Sequence, residues 1–308
     1  QESYDAWWHD VQAQRQHSEG YTQGMGTFFT KTARQFLSGA GAGNRAYSPL
    51  NLYIALGMLA ELTEGDSRQQ VLSLLNIADM DTLRAQASAL WNGAYRDDGA
   101  VTSVLASSLW LDERVPFRQE TLDRLAQSYY ASAYRGEMGS DAFNAALQDW
   151  LNEQTGGLLK DQVDALKLDA GTVMALATTV YFRAKWSHEF DPSLTGPGVF
   201  HGASGDKSVE FMRQSAMGDY YWGESFSAVA QGLENGGAMW FILPDEGTDV
   251  QSLLQDDEAM AFLFTGQAGW VNHKATLVNL TVPKFDISAQ LSLREGLEAL
   301  GVTDVFQP

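Results

Sequence analysis

The sequence predicts an α+β fold, organised as one domain over residues 1–308. Helical patterns dominate the first half of the chain and strand patterns dominate the second half, an order typical of this class. Hydrophobic residues make up 44% of the chain, which is enough to bury a large core. No linker and no internal repeat interrupts the sequence. We expect residues 1–19, which are mostly polar, to form a weakly ordered lead-in.

Two helix predictions rest on patterns near the start of the chain. Apolar residues from Met25 to Phe36 recur at spacings of three and four, which predicts a helix that ends near Gly39. Ser48 is placed to act as the N-cap of the next helix, with Pro49 at its first position. The following run, Leu50 to Leu62, is apolar on nearly every side, which predicts a buried helix.

Further helices are predicted from caps and periodicity. Asp66 and Gln69 have the spacing of a capping box for a helix through Leu75. A second capping box at 292–295, followed by Gly301, predicts a short helix near the end of the chain. Apolar periodicity predicts the remaining helices, which are Met80 to Tyr95, a segment with Leu122, Leu125 and Tyr129, and Ser140 to Thr155.

Strand predictions follow from runs of β-branched and aromatic residues. The segment from Thr172 to Phe182 is almost uninterruptedly apolar, as expected of a strand buried on both faces. Asn235-Gly236 is a hairpin turn signal between residues 229–233 and 239–243. The other predicted strands are Asn44 to Tyr47, Val101 to Leu111 and Ala275 to Ile287.

Charge and composition exclude several classes of protein. The formal net charge of −19 disfavours binding to nucleic acid or to an anionic membrane surface. No apolar run is long enough for a transmembrane helix. Without cysteine there is no disulfide, thiol nucleophile or cysteine-based zinc site. The chain begins at Gln1, so we expect that an upstream segment was removed, either a signal peptide or part of a trimmed chain.

The residue inventory also argues against an enzyme. The chain has five histidines, none in a His-Glu-x-x-His spacing, and it contains no Gly-x-Ser-x-Gly motif. The glycine-rich stretch from Gly39 to Gly43 follows no strand and opens no helix directly, so a nucleotide site is not expected there. We therefore predict no catalytic residue, no metal and no cofactor.

Several segments, in the same order along the chain, resemble the serpin family. Each match is modest alone, but together they span about residues 20 to 306 and are specific. They are Asn44 to Leu50, Ala55 to Leu59, Gly65 to Gln70, Asn152 to Gly157, Thr179 to Trp186, Phe190 to Pro192, Phe241 to Pro244 and Val282 to Ile287, followed by Leu293, Leu297, Leu300-Gly301, Asp304 and Phe306.

The resemblance implies a serpin fold with N-terminal helices and large mixed β-sheets A, B and C. It also implies a mechanism in which a target protease attacks an exposed reactive-centre loop and forms an acyl-enzyme. The cut loop then inserts into sheet A as a new strand and distorts the protease. We expect the C-terminal region that carries this loop to be absent from the chain, which would end at Pro308 with an incomplete domain.

The resemblance assigns site residues, each with a plainer alternative. Ser48, Asn51, Thr178 and Thr179 match the shutter, where sheet A opens; Asn51 and Thr178 depart from the usual Ser and Asn, which implies a rearranged hydrogen-bond network. For Ser48, the N-cap role is compatible with the shutter role. Trp186 matches the breach tryptophan, where insertion begins, or is an ordinary core tryptophan with a paired indole N–H.

The remaining assigned residues form the family's Pro-Lys-Phe motif. In this chain the motif is Pro283, Lys284 and Phe285. Lys284 could equally be a surface lysine at a strand edge. Residues 80–96, which match a helix that binds heparin in some serpins, offer only Arg84 and Arg96, so no heparin-type site is expected.

Two functions remain open at this point. The first is suicide-substrate inhibition of a serine protease, or of a cysteine protease. The alternative is a non-inhibitory serpin that acts as a carrier, chaperone or surface binding protein. The hinge before the reactive loop would distinguish them, because only small residues there can enter a closed sheet. We expect a monomer that is secreted or located at the cell surface, from a bacterium.

Overall fold

The computed structural model describes the greater part of the chain. The described residues are 24–39, 43–97, 101–202, 204–234, 237–265, 269–287, 289 and 291–307. The predicted lead-in at 1–19, most of the loop from Gly39 to Gly43 and the turn Asn235-Gly236 lie outside them.

Helices and strands are distributed along the chain much as the patterns predict. The α-helices of the described residues are Met25–Leu37 (α1), Pro49–Leu62 (α2), Gly65–Leu75 (α3), Met80–Ala94 (α4), Gln119–Tyr129 (α5), Asp141–Gln154 (α6), Lys160–Asp164 (α7), Val250–Gln255 (α8), Asp257–Thr265 (α9) and Arg294–Ala299 (α10). The strands are Arg96–Asp97 (β1), Val101–Asp112 (β2), Ala131–Gly136 (β3), Met174–Ala184 (β4), Gly196–Gly202 (β5), Gly205–Trp222 (β6), Phe226–Gly232 (β7), Ala238–Pro244 (β8) and His273–Pro283 (β9). The α+β class is confirmed.

The elements fall into two compact units. One contains Pro49–Arg183 and Leu297–Pro308, and the other contains Gly26–Ser48 and Ala184–Gly296. We call them the helical unit and the sheet unit. That all 308 residues form one domain stays a prediction.

The helical unit is built around a four-stranded mixed sheet. Strand β2 pairs antiparallel with β1 and parallel with β3, and β4 also pairs with β2. Helix α6 packs on this sheet through Leu147 and Trp150, which form a buried cluster with Trp110 of β2. Gly57 lets α2 approach α5 closely, since a Cβ there would lie 2.7 Å from Cε1 of Tyr129.

The sheet unit is built around a five-stranded antiparallel sheet in the order β5-β6-β7-β8, with β9 also paired to β6. The predicted hairpin is confirmed, because β7 and β8 pair from Phe226↔Pro244 to Gly232↔Ala238. Phe226 and Phe262 are fully buried and form the centre of an aromatic cluster between this sheet and α9.

Two predictions of local structure within residues 44–69 are wrong. Residues 44–47 form no strand; instead the Arg45 guanidinium donates to the carbonyls of Phe36 and Ser38 at 3.0 and 2.6 Å, which fixes the segment through its side chain. The capping box at Asp66 does not form, because α3 already begins at Gly65 and the side chain of its N-cap residue, Glu64, makes no capping hydrogen bond. Asp66 instead lies in the first helical turn, where its negative charge interacts favourably with the helix dipole and stabilises the helix.

The prediction that β4 is buried on both faces is also wrong. Most of the strand is half-buried, and Thr179 is its only fully buried residue. Ala175 and Ala177 pack against the Trp110 cluster, so α6 covers only one stretch of one face. Sequence patterns also gave no indication of β3 or α7, which are short and rich in polar residues.

Candidate functional site

Strand β4 and helix α2 meet at two predicted shutter residues in the helical unit. Asn51 lies in the first turn of α2, and Thr178 lies in the middle of β4. The Thr178 hydroxyl donates a hydrogen bond to the backbone carbonyl of Asn51 at 3.4 Å, and both residues are half-buried. A bond of this length is weak. Thr178 and Asn51, the two positions that depart from the family pattern, are therefore in contact through a weak hydrogen bond.

The neighbouring residue, Thr179, points to the opposite face of the strand because side chains alternate along β4. Its side chain is buried, and its Oγ1 makes no hydrogen bond to any residue that the structure describes. A buried hydroxyl without a partner costs about 1–3 kcal/mol. The polar groups of β4 are thus incompletely satisfied at the point where the predicted site lies.

One edge of β4 is open within the described part of the chain. The strand pairs with β2, and no other described strand pairs with it. Val173, directly before the strand, and Phe182, near its end, expose 59% and 52% of their surface. An open strand edge presents unpaired N–H and C=O groups and can accept a further strand. Chemically, this edge is suited to strand addition.

Ser48 lies where the sequence places it, directly before Pro49, the first residue of α2. It belongs to the sheet unit, whereas Asn51, Thr178 and Thr179 belong to the helical unit. The position is that of an N-cap. Its shutter role stays a prediction.

Trp186 and Lys284 are brought together in the sheet unit, where both line one cleft of about 480 Å³. Trp186 forms a bridge with Leu233 and packs its ring edge-to-face on Phe190, with ring centres 5.7 Å apart. Lys284 is exposed, and its Nζ lies 2.9 Å from the carboxylate of Glu210. The exposure of Lys284 therefore agrees with the alternative interpretation, a surface lysine.

The other two residues of the Pro-Lys-Phe motif, on either side of Lys284, lie in different secondary structure. Pro283 is the last residue of β9 and lies opposite Phe211 of β6. Phe285 follows the strand and is 50% exposed. Neither lines the cleft with Trp186 and Lys284, and their assignment rests on the resemblance.

A buried ion network in the helical unit was missed by sequence reasoning. The carboxylate of Glu61 is 1% exposed and accepts bonds from Arg84 at 2.7 and 3.0 Å and from Arg124 at 3.2 Å. Hydrogen bonding to Glu61 raises the pKa of Arg84 above its usual value. The signal was present, because Glu61 is the one acidic residue near the end of an otherwise apolar helix. Arg84 is thus committed to this network, and the lack of a heparin-type site stays a prediction.

A second missed group is Asp112 at the end of β2. Its carboxylate accepts bonds from the Arg114 side chain at 2.6 and 2.9 Å and from the Met138 backbone N–H at 3.3 Å. The hydrogen bonds from Arg114 lower the pKa of Asp112 to about 2. The group ties the end of β2 to the turn after β3.

Within the described ranges, no three His, Asp or Glu side chains come together in a way that could hold a metal ion. None of the helices built from described residues has both the length and the apolar character needed to cross a membrane.

Comparison with protein families gives a match to one family model. The model described as "Serpin (serine protease inhibitor)" matches residues 23–308. Among curated relatives, Serpin-ZX of Arabidopsis thaliana is 25% identical over 279 residues, which cover 85% of this chain and 70% of the relative. Alpha-1-antitrypsin of Meriones unguiculatus is 28% identical over 270 residues, which cover 84% of this chain and 64% of the relative. The chain thus spans about two thirds of the length of these relatives.

Solved structures show the same fold. The native state of the thermophilic serpin tengpin superposes with a TM-score of 0.82 at 22% identity, covering 94% of this chain and 73% of that chain. Ovalbumin from emu (Dromaius novaehollandiae) superposes with a TM-score of 0.78 at 20% identity, covering 94% of this chain and 78% of that chain.

Proposed function

Because this chain belongs to the serpin family, as the family model over residues 23–308 shows, we propose that its protein inhibits serine-type endopeptidases. In the proposed mechanism, the serine of the protease attacks a peptide bond of the reactive loop, displaces the amine and leaves an acyl-enzyme. The loop then adds to the open edge of β4 as a new strand. The inhibitor contributes no catalytic group. Its target is a serine protease, with a cysteine protease as the alternative.

The observation that carries this proposal is the family match over residues 23–308; in addition, one edge of β4 is unpaired among the described residues. An inserted strand would pair the backbone groups that β4 leaves free and would cover part of the exposed surface of Val173 and Phe182. Both changes lower the free energy of the inserted state. That gain would be available to distort the attached protease.

We propose roles for the site residues on the same basis. The weak bond between Thr178 and Asn51 would hold β4 to α2 without making the sheet rigid. Ser48 would fix the start of α2. Thr179 would lie on β4, the strand beside which the loop inserts, and Trp186 would lie where insertion begins. The Pro-Lys-Phe motif, through the ion pair between Lys284 and Glu210, would anchor the end of β9.

A non-inhibitory carrier, chaperone or surface binding protein is the second candidate. Its support is that ovalbumin and a lamprey angiotensinogen are among the structures with the same fold. For this candidate the loop would be cut without insertion.

We further propose that the protein acts as an extracellular monomer formed by a single serpin domain, as its family relatives suggest.

The two functions are separated by mixing the full-length protein with trypsin-, elastase- and subtilisin-like proteases and resolving the products by SDS gel electrophoresis. Inhibition predicts a covalent complex that survives SDS, and the complex must disappear when the active-site serine of the protease is blocked beforehand. Clean cleavage without a complex across the whole panel would support the non-inhibitory function instead.

A matched pair of variants tests the role of Thr178. Thr178→Val removes the bond to Asn51 at nearly constant volume, and we expect it to change the ratio of trapped complex to cleaved, released inhibitor. Thr281→Val makes the same exchange at an exposed position of β9 and should leave that ratio unchanged. Equal ratios for both variants would remove Thr178 from the proposed mechanism.

A further inference from the structure

Met217 differs from the other methionines of the chain in its exposure to solvent. All nine methionines lie within the described residues. Met217, in the middle of β6, exposes 71% of its surface, and the next most exposed methionine, Met239 of β8, exposes 36%. The other seven are buried or half-buried: Met25, Met58, Met80, Met138, Met174, Met212 and Met260. Met217 is therefore the methionine that a dissolved reagent reaches most easily.

The position of Met217 in the sheet keeps its side chain away from the core. Side chains alternate along a strand, and Met217 lies on the same face of β6 as Ser215 and Asp219, which are also exposed. Its cross-strand partner on β9, Leu277, is 58% exposed. The ladder between β6 and β9 is made by main-chain groups. A polar group added to Met217 would therefore face water and leave the pairing of the two strands intact.

Oxidation adds such a polar group to a methionine. The thioether sulfur forms a bond to one oxygen of hydrogen peroxide, the O–O bond breaks, and the second oxygen leaves as water after proton transfer. The sulfur is thereby oxidised by two electrons to a sulfoxide, and the peroxide is reduced. At the buried Met58 or Met260, the oxidant must wait for local opening of the structure, and the new oxygen would lie in an apolar core. Neither obstacle exists at Met217.

From these observations we propose that Met217 is the site at which peroxides reversibly oxidise the folded protein. Because the side chain is exposed, methionine sulfoxide reductases can reach the product and restore the thioether. The change makes the apolar pair of Met217 and Leu277 on the face of the sheet polar, while the sheet unit stays folded. The site is independent of the proposed protease inhibition, since it uses no residue of β4 and no reactive loop.

The test treats the full-length protein with hydrogen peroxide and follows each of the nine methionines by mass spectrometry of its peptides. We expect Met217 to react within about threefold of the rate of methionine in a short unstructured peptide, and Met58 and Met260 to react at least about tenfold more slowly than Met217. Met239 should have an intermediate rate. If Met239 or a buried methionine reacts as fast as Met217, the proposal is wrong.

The same reaction on urea-unfolded protein is the control for local sequence effects. Without the fold, all nine methionines should react at similar rates. A preference for Met217 that persists in the unfolded chain would show that exposure in the folded sheet is not its cause, and would overturn the proposal.

A matched variant tests whether the oxidised protein stays folded. After peroxide treatment that converts Met217, the parent and Met217→Leu should have the same midpoint of urea unfolding. Incubation of the folded, oxidised parent with both methionine sulfoxide reductases, one for each sulfoxide epimer, should return Met217 to the thioether. A lower midpoint in the oxidised parent alone, or a sulfoxide that is reduced only after unfolding, would refute reversible oxidation of the folded state.

Discussion

The ion network around Glu61 should contribute measurably to stability, and Glu61→Gln tests this. The substitution keeps the shape of the side chain but removes a charge that is 1% exposed and bonded to two arginines. Breaking a fully buried ion pair typically costs about 3–5 kcal/mol. Because Arg84 and Arg124 are 28% and 36% exposed, water can partly solvate them after the change. We therefore expect a loss of about 2–3 kcal/mol.

A second carboxylate that pairs with Arg84 provides a control. Asp81 also pairs with Arg84, at 2.9 Å, but its side chain is 94% exposed. Asp81→Asn should cost less than about 0.5 kcal/mol, because exposed ion pairs contribute little. Both variants are compared with the parent by urea unfolding, with the m-value checked for constancy. If Asp81→Asn costs as much as Glu61→Gln, burial does not determine the strength of these ion pairs and the reasoning is wrong.

Two further predictions concern the helical unit. Gly57→Ala should destabilise by about 1–3 kcal/mol, since the new Cβ would overlap the buried Tyr129 ring, whereas Gly171→Ala, with open space around it, should have little effect in the same unfolding assay. Asp112 has a pKa held at about 2 by Arg114. Its folded pKa is below the unfolded value, so the stabilisation it provides is present at neutral pH and is lost as pH falls from about 4 to about 2. The stability difference between the parent and Asp112→Asn should shrink over that window, and a difference that stays constant down to about pH 2 would contradict the assigned cause.

Local patterns predicted the elements whose stability depends on their own sequence. The stripe from Met25 to Phe36 became α1, and the periodic segment from Ser140 became α6, whose N-cap hydroxyl at Ser140 accepts from the Phe143 backbone N–H at 3.2 Å. These features involve residues three or four positions apart. Periodicity and caps therefore describe them well.

Features that depend on distant residues were not predictable in the same way. The burial of β4 depends on which faces α6 covers and on which edges other strands occupy, and neither can be read from the apolar run at 172–182. The partners of Glu61 lie 23 and 63 positions away in sequence. For the candidate site, the resemblance supplied Thr178 and Asn51, but only the structure shows that they touch.

Hydrogen exchange at β4 tests the proposed mechanism most directly. The full-length protein is compared before and after a single cut in its reactive loop, and the exchange of the backbone amides of β4 is measured. Strand insertion predicts that the β4 amides that do not pair with β2 exchange more slowly after the cut, while those of β8 and β9 serve as a reference. Unchanged exchange along β4 after complete cleavage would contradict the claim that the loop inserts beside β4.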